Sequence, residues 1–174
     1  MPSSASRADD PDSHRGEAAA PIAVRPFREN DRPFFRRIVG RLDPGPTAAP
    51  RDPAKVAAYF RRLAAGEIEP PPRLETFVAV DQHDVPLGLL ALYPSRDYFT
   101  GHPRAYVETL VVAAEAEGRG VGRALMEHAE HWARSRGMAE ASLDVFAGND
   151  RARAFYERAG YRPDHVRMVK RIED

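Results

Sequence analysis

The run Glu117-Gly118-Arg119-Gly120-Val121-Gly122-Arg123-Ala124 sets three glycines and two arginines at the head of an apolar stripe, Val121, Leu125, Ala129 and Trp132. The stripe has helical spacing, so the glycines sit where a helix begins. Glycine lets backbone approach a ligand with no Cβ in the way. The unpaired N–H groups of a helix start point where the positive end of its dipole points, which suits a phosphate or diphosphate. Two phosphate-loop fingerprints fail here. No lysine is present for G-x-x-x-x-G-K-[ST], and G-x-G-x-x-G/A breaks at Arg123 or at Leu125, depending on its start. A tight turn that uses glycine only for geometry is the competing reading.

Two carboxylates are candidates for proton transfer. Glu108 is the only charge in AYVETLVV, residues 105–112. Burying an unpaired carboxylate is costly, so a charge in an otherwise apolar strand points to a cleft. Strand alternation places Glu108, Leu110 and Val112 on one face and Val107, Thr109 and Val111 on the other. Asp144 stands in the next such segment, ASLDVF. Either acid can serve as a general base or pair with Arg104, Arg151 or Arg153. Glu108 is preferred, with a water relay allowed. Tyr156 has a phenol that stays protonated at pH 7 and can donate a proton, or it packs beside Phe155. Asn149 is a good N-cap for the helix that follows it. The six histidines show no metal spacing. His128 and His131 lie three apart without a third ligand and are assigned to the surface, so no metal is expected.

The elements that must position these residues follow from periodicity and turn residues. Residues 1–20 are polar and aperiodic and read as a disordered tail before one domain over 21–174. A strand is expected at Ile22–Arg25. A helix capped at Asn30-Asp31 follows, with Phe34, Phe35, Ile38 and Val39 inward. A Pro-rich joint, Asp43 to Pro50, leads to a helix near Asp52–Ala65 carrying Val56, Tyr59, Phe60 and Leu63 on one side. Strands at Thr76–Val80 and Val85–Tyr93 form a hairpin. Pro94–Pro103 is a loop with Tyr98 and Phe99, and His102 is a weak candidate to line a substrate pocket. A central strand spans Ala105–Val112, and the long helix after it stops at Gly137. Glu140–Phe146 is a strand. The helix after Asn149 turns Ala152, Phe155 and Ala159 inward, and Tyr161–Ile172 supplies a last strand or hairpin.

Composition narrows the function classes. Lys+Arg 26 balance Asp+Glu 26, against a general nucleic-acid binder. There is no cysteine, which excludes a disulfide and a cysteine-bound acyl intermediate. No apolar run approaches the roughly 20 residues that span a bilayer, and the N-terminus lacks an apolar signal core. The expectation is a cytoplasmic protein without a membrane partner. Oligomeric state stays open, a homodimer among the options.

VVAAEAEGRGVGRALMEHAEHWARSRG followed by AGNDRARAFYERAGY resembles the GNAT superfamily of N-acetyltransferases. The acetyl-CoA motif of that family is [QR]-x-x-G-x-[GA], and Gly120 and Gly122 match both glycine positions. Its first position is Glu117 here, a negative charge near the expected diphosphate that Arg119 can offset. The family's N-x-x-A-x-x-[FL]-Y-x-x-x-G-[FY] is met in full by Asn149, Ala152, Phe155, Tyr156, Gly160 and Tyr161. IAVRPFRENDRPFF also looks like the family's opening strand and helix, so the resemblance covers about residues 21 to 172.

The resemblance implies an α/β (α+β) fold, a mixed, twisted sheet flanked by helices and splayed between its fourth and fifth strands. Pantetheine of acetyl-CoA would run along Leu110, Val111 and Val112. The diphosphate would meet the amides of Gly118, Arg119, Gly120, Val121, Gly122, Arg123 and Ala124. Asn149 would contact the pantetheine arm, Tyr156 would stand near the sulfur, and a backbone N–H near Val112 would serve the oxyanion. The implied reaction is acetyl transfer to a small-molecule or peptide amine. The alternative is a silent acyl-CoA-binding sensor or scaffold of the same fold.

Overall fold

Five apolar segments pair into one sheet, and a bulge in its fourth strand opens the site. A computed structural model of the chain describes residues 21–43, 50–170 and 172. The expected tail over residues 1–20 and most of the Pro-rich joint lie outside the described residues. Strands β1 (Ala23–Pro26), β2 (Glu75–Val80), β3 (Pro86–Arg96), β4 (Pro103–Val112) and β5 (Ala141–Leu143) lie side by side in chain order. The first four are antiparallel neighbours, and β5 runs parallel to β4. The mixed sheet is flanked by α1 (Arg32–Ile38), α2 (Pro53–Ala65), α3 (Val121–Ser135) and α4 (Asp150–Arg158).

The core lies between the sheet and α3. Val121, Leu125, Met126, Ala129 and Trp132 are buried along one side of that helix, as their spacing predicts. They meet Val78, Leu90 and Leu92 of the sheet's central strands in one buried cluster. Gly88 of β3 makes this approach possible, because a Cβ there would stand 3.0 Å from both the Val111 carbonyl oxygen and Val121 Cγ1. At the far end the Trp132 indole N–H donates to Glu75 Oε2 at 3.0 Å. Arg136 lies 4.1 Å over that ring and donates to the same carboxylate, which fixes the end of α3 to β2.

β4 changes partner midway. Leu92 opposes Val107 and Ala91 opposes Thr109, so Glu108 is an extra residue facing none on β3. Such a bulge bends its strand and increases the local twist. The pairing of β5 with β4 ends at Leu143 opposite Val107, one residue before the bulge. The sheet is therefore splayed between β4 and β5. The same divergence explains why β5 stops at Leu143 and does not reach Phe146.

Other expectations need correction. β3 continues through Arg96 and β4 starts at Pro103, so the loop is shorter than Pro94–Pro103. Asp97 organises it, its carboxylate accepting from Thr100 N–H at 2.7 Å and from Arg104 at 3.0 Å. Tyr98 and Phe99 are exposed at its tip. Residues 161–170 form no strand. Val166, Met168 and Ile172 share one strand face by parity, but they are exposed, as is Val169, and no neighbouring strand covers them among the described residues. Ala159 is exposed rather than inward. His128 is half-buried against Phe77, ring centroids 4.4 Å apart, and not on the surface.

Asp31 makes no side-chain cap bond to α1; its carboxylate turns back to the N–H of Arg28, at the start of the turn before that helix. It is buried, and its carboxylate takes two hydrogen bonds from Arg25, at 2.8 and 3.0 Å, and one from Arg28 N–H at 2.7 Å. These bonds pin the first strand to the turn that starts α1. The Arg25 guanidinium, followed by burial against it and the Arg28 N–H, leaves the Asp31 carboxyl below its ordinary value of 3.8. A depressed folded-state value means this stability is complete above about pH 4 and is lost as pH falls below it. Asp31→Ala is expected to cost about 2 kcal/mol at pH 7, since a largely buried guanidinium loses one of its two carboxylate partners and keeps only Asp84. In urea unfolding the gap to wild type should narrow as pH drops below 4. An equal gap at pH 7 and pH 3 would show that the carboxylate charge is not what matters.

Candidate active site

The gap between β4 and β5 forms a cleft of about 330 Å³. The second half of β4 is one wall, and the segment Leu143–Phe146 with the start of α4 is the other. The Ala113 N–H donates to the Leu87 carbonyl at 2.8 Å, which marks that facing pair as hydrogen-bonded. By the alternation of an antiparallel ladder, Val112 and Leu110 then turn their N–H and C=O groups away from β3, into the gap. Arg41 Nε takes the Val112 carbonyl at 2.9 Å from that side. A row of strand backbone thus faces a space with no strand in it.

The glycine loop closes one end of this space. Gly118 and Gly120 have φ of 74° and 83°, a left-handed conformation that disfavours side chains, and a Cβ on either would point into open space. No side chain caps α3, and its first bond back to the loop is Ala124 N–H to the Gly120 carbonyl at 3.0 Å. The N–H groups of Val121, Gly122 and Arg123 are the orphan donors of that helix start. Gly122 is different. Its Cβ would lie 3.2 Å from the Phe155 ring, so the missing side chain makes room for α4 while the N–H stays among the orphan donors. Arg123 is engaged by Glu127 of its own helix at 2.8 Å, whereas Arg119 makes no ion pair among the described residues.

Glu117 carries two arginines. Arg41, from the turn after α1, and Arg151, from the first turn of α4, both bind its carboxylate, Arg151 at 2.5 Å. The Arg151 guanidinium, ahead of the charge of Arg41, keeps the Glu117 carboxyl below the usual glutamate range.

Glu108 and Asp144 meet across the other end of the cleft. None of the arginines named as structural partners reaches them: Arg104 pairs with Asp97, Arg151 with Glu117 and Arg153 with Asp150. Burial and then the negative charge of Asp144 push the Glu108 carboxyl up. Tyr106 lies between the two acids and stacks at 5.2 Å on Tyr93. Its phenol is pushed up by burial, by the charge of Asp144 and by a hydrogen-bonding contact with that carboxylate.

Tyr156 lines the cleft from α4, edge-on to Phe155 at 5.1 Å. Burial alone pushes its phenol up to about 12, and no hydrogen bond engages its hydroxyl among the described residues. Asn149 caps α4, its Oδ1 accepting from Ala152 N–H at 3.1 Å, and also lines the cleft. Its amide N–H groups are therefore left for the space.

The structure thus brings Glu108, Leu110, Asp144, Asn149 and Tyr156 to one cleft, with the Gly118–Ala124 loop after Val112 at its end. Val111 faces the core with its side chain, and by the same alternation its N–H and C=O turn to Leu89 of β3. His102, Tyr98 and Phe99 lie on the β3–β4 loop and do not line the cleft. Arg41, Tyr106 and Phe146 line it without having been expected. Arg41 comes from a turn with no periodic signal, Phe146 from the end of an expected strand that the sheet does not continue, and Tyr106 from inside an apolar run. Among the described residues no group of three or more His, Cys, Asp or Glu could hold a metal, and no helix is long and apolar enough to cross a membrane.

A family model described as the acetyltransferase (GNAT) family matches residues 28–161. Streptothricin acetyltransferase of Streptomyces lavendulae is 37% identical over 86 residues, 49% of this chain, and the match spans 43% of that relative's length. Aminoglycoside N(6')-acetyltransferase type 1 of Klebsiella aerogenes is 31% identical over 139 residues, 79% of this chain and 88% of the relative. The solved aminoglycoside N-acetyltransferase AAC(6')-Iy in complex with CoA superposes with a TM-score of 0.62 at 19% identity, over 89% of this chain and 97% of that one. At that identity it shows the fold.

The Gly122 contact makes a stability test. Gly122→Val should cost about 1–3 kcal/mol by overpacking against Phe155. Adding Phe155→Ala should make the two losses less than additive in thermal melts. Strict additivity would mean that α4 does not rest on this glycine.

Proposed function

The chain belongs to the acetyltransferase (GNAT) family, and from that premise we propose that it moves an acetyl group from acetyl-CoA to a primary amine by direct attack in a ternary complex, within one domain over residues 21–174. The observation that carries this reading is the row of β4 backbone that faces no strand, flanked by an uncapped glycine loop at one end and two carboxylates without a cationic partner among the described residues at the other. In this reading the pantetheine arm lies along Leu110–Val112 and the diphosphate on the amides of Gly118–Ala124. The Asn149 amide holds the arm while its oxygen caps α4. The names of the streptothricin and aminoglycoside relatives support a small-molecule amine as acceptor.

Each remaining demand of the chemistry falls to a residue of this cleft. An alkylamine with a pKa of about 10.4 arrives as an ammonium ion and must lose a proton before it attacks. Glu108 takes that proton, directly or through water. Its raised pKa makes it a stronger base than an ordinary glutamate, and Asp144 adds the second negative charge that draws the cation in. The Val112 N–H, turned into the cleft, donates to the carbonyl oxygen as negative charge develops on it. The chain has no cysteine to hold the acetyl group, in keeping with direct transfer.

Tyr156 serves the departing sulfur. A phenol near 12 giving its proton to a thiolate near 8.5 is uphill by about 5 kcal/mol if each keeps its own value. Burial that raises the phenol also raises a thiol in the same pocket, so the gap narrows. Tyr156 therefore contributes first as a hydrogen-bond donor to the sulfur, with proton transfer following as the thiolate leaves.

Turnover is tested by acetyl-CoA consumption against a panel of small amines, polyamines and aminoglycosides. CoA binding without turnover on any amine would leave only a silent acyl-CoA-binding module. Tyr156→Phe should lower kcat by roughly tenfold or more, with CoA affinity in calorimetry within about twofold of wild type. Unaltered kcat would remove its role. The acid limb of kcat/KM should lie above the ordinary glutamate range, with activity falling as pH drops and Glu108 protonates. Asp144→Asn should move that limb to lower pH by removing the like charge, and Glu108→Gln should abolish it. A limb that stays in Glu108→Gln would assign the base elsewhere.

A further inference from the structure

We infer that Arg41 and Arg151 are ligands for the diphosphate of CoA, and that Glu117 holds the two guanidinium groups at its site until the diphosphate takes them over. This rests on the reading of the cleft as the CoA site. Glu117 stands one residue before the glycine loop, at the motif position where the family carries Gln or Arg. Taken alone, a carboxylate there would repel a diphosphate. It is not alone: an arginine from the turn after α1 and one from the first turn of α4, 110 positions apart in the sequence, converge on it. The positive charge that the motif position lacks is thus delivered in space by two other elements.

The arrangement is suited to exchange. The Arg151 side chain is 76% exposed and that of Arg41 is 37% exposed, against 31% for Glu117. Ion pairs with this much water access are individually weak, so exchanging one anion for another costs little. A diphosphate offers more charge and more acceptor oxygens than one carboxylate, and a guanidinium matches it with a fork of donors. Arg41 is also fixed by its bond to the Val112 carbonyl at 2.9 Å, beside the strand backbone that faces the cleft. The carboxylate thus orders the arginines in advance and competes with the ligand. The bland alternative is a staple, in which Glu117 ties the α1 turn and α4 to the loop and the arginines have no further role.

Calorimetric titration with CoA and with dephospho-CoA separates the two. Arg151→Ala should weaken both ligands by about tenfold, the loss of a charged hydrogen bond. Glu117→Gln removes the competitor and should tighten both by several-fold. Unchanged CoA affinity in Arg151→Ala, or weaker binding in Glu117→Gln together with a lower melting temperature, would identify the staple and overturn the inference. Weakening in Arg151→Ala confined to CoA would place the arginine on the 3'-phosphate and likewise overturn it. A folded wild-type protein that binds neither ligand would overturn the CoA site itself, a result distinct from both.

Discussion

One extra residue in β4 sets the architecture of the site. With Glu108 inserted opposite β3, the strand bends, and β5 can follow it only from Ala105 to Val107. Beyond that point the backbone of Leu110 and Val112 has lost its neighbour on one side. Main-chain groups left without partners are costly when buried and useful when a ligand can supply the missing bonds. The bulge also turns the only carboxylate of β4 into the gap it creates. Cleft, open ladder and candidate base are consequences of one local irregularity.

Charge in the cleft is divided by its geometry. At the glycine-loop end Arg41 and Arg151 outnumber the one carboxylate they share, which suits an anion. At the other end Glu108 and Asp144 have no cationic partner among the described residues, and the charge of Asp144 adds to burial in making Glu108 harder to ionise. Two acids facing each other without a cation is a poor way to stabilise a fold and a good way to receive one. A hollow of about 510 Å³ beside α2 shares Tyr59, Phe60 and Phe146 with the cleft. The half-buried side of α2 is thus spent on walls of open space, in keeping with the absence of any fully buried residue on that helix.

Much of this was legible in the residues because their local signals agree with the global fold. The α3 stripe, the hairpin and the Asn149 cap each have one reading by period or by turn chemistry. The family motif located Tyr156 and the loop without any structure. What was hidden came from pairing between strands. Alternation alone does not reveal that β4 carries a bulge, so β5 was drawn too long. Residues 161–172 carry strand-forming residues at alternating positions, but among the described residues no neighbouring strand receives them. Gly122 matches a ligand motif and has a packing role as well, since the sequence does not say that Phe155 will stand against it. Glu117 looked like a defect in the loop, because its arginine partners are remote in sequence.

Direct transfer makes one further demand that these features answer together. In the proposed direct transfer, donor and acceptor occupy the cleft at once, and the amine loses its proton next to the thioester rather than in bulk water. Proximity of that kind works only if the reacting groups are held by rigid elements. Here the acids come from the bulge of β4 and the segment after β5, and the phenol comes from a helix whose start is fixed by the Asn149 cap and the Phe155–Gly122 contact. The cleft wall that α2 supplies is the less buried part, followed in the chain by the exposed loop Glu67–Arg73. With the proposed catalytic groups on the packed sheet and on α4, a change of residue on this looser helix would reshape the cleft without moving the acids or the phenol.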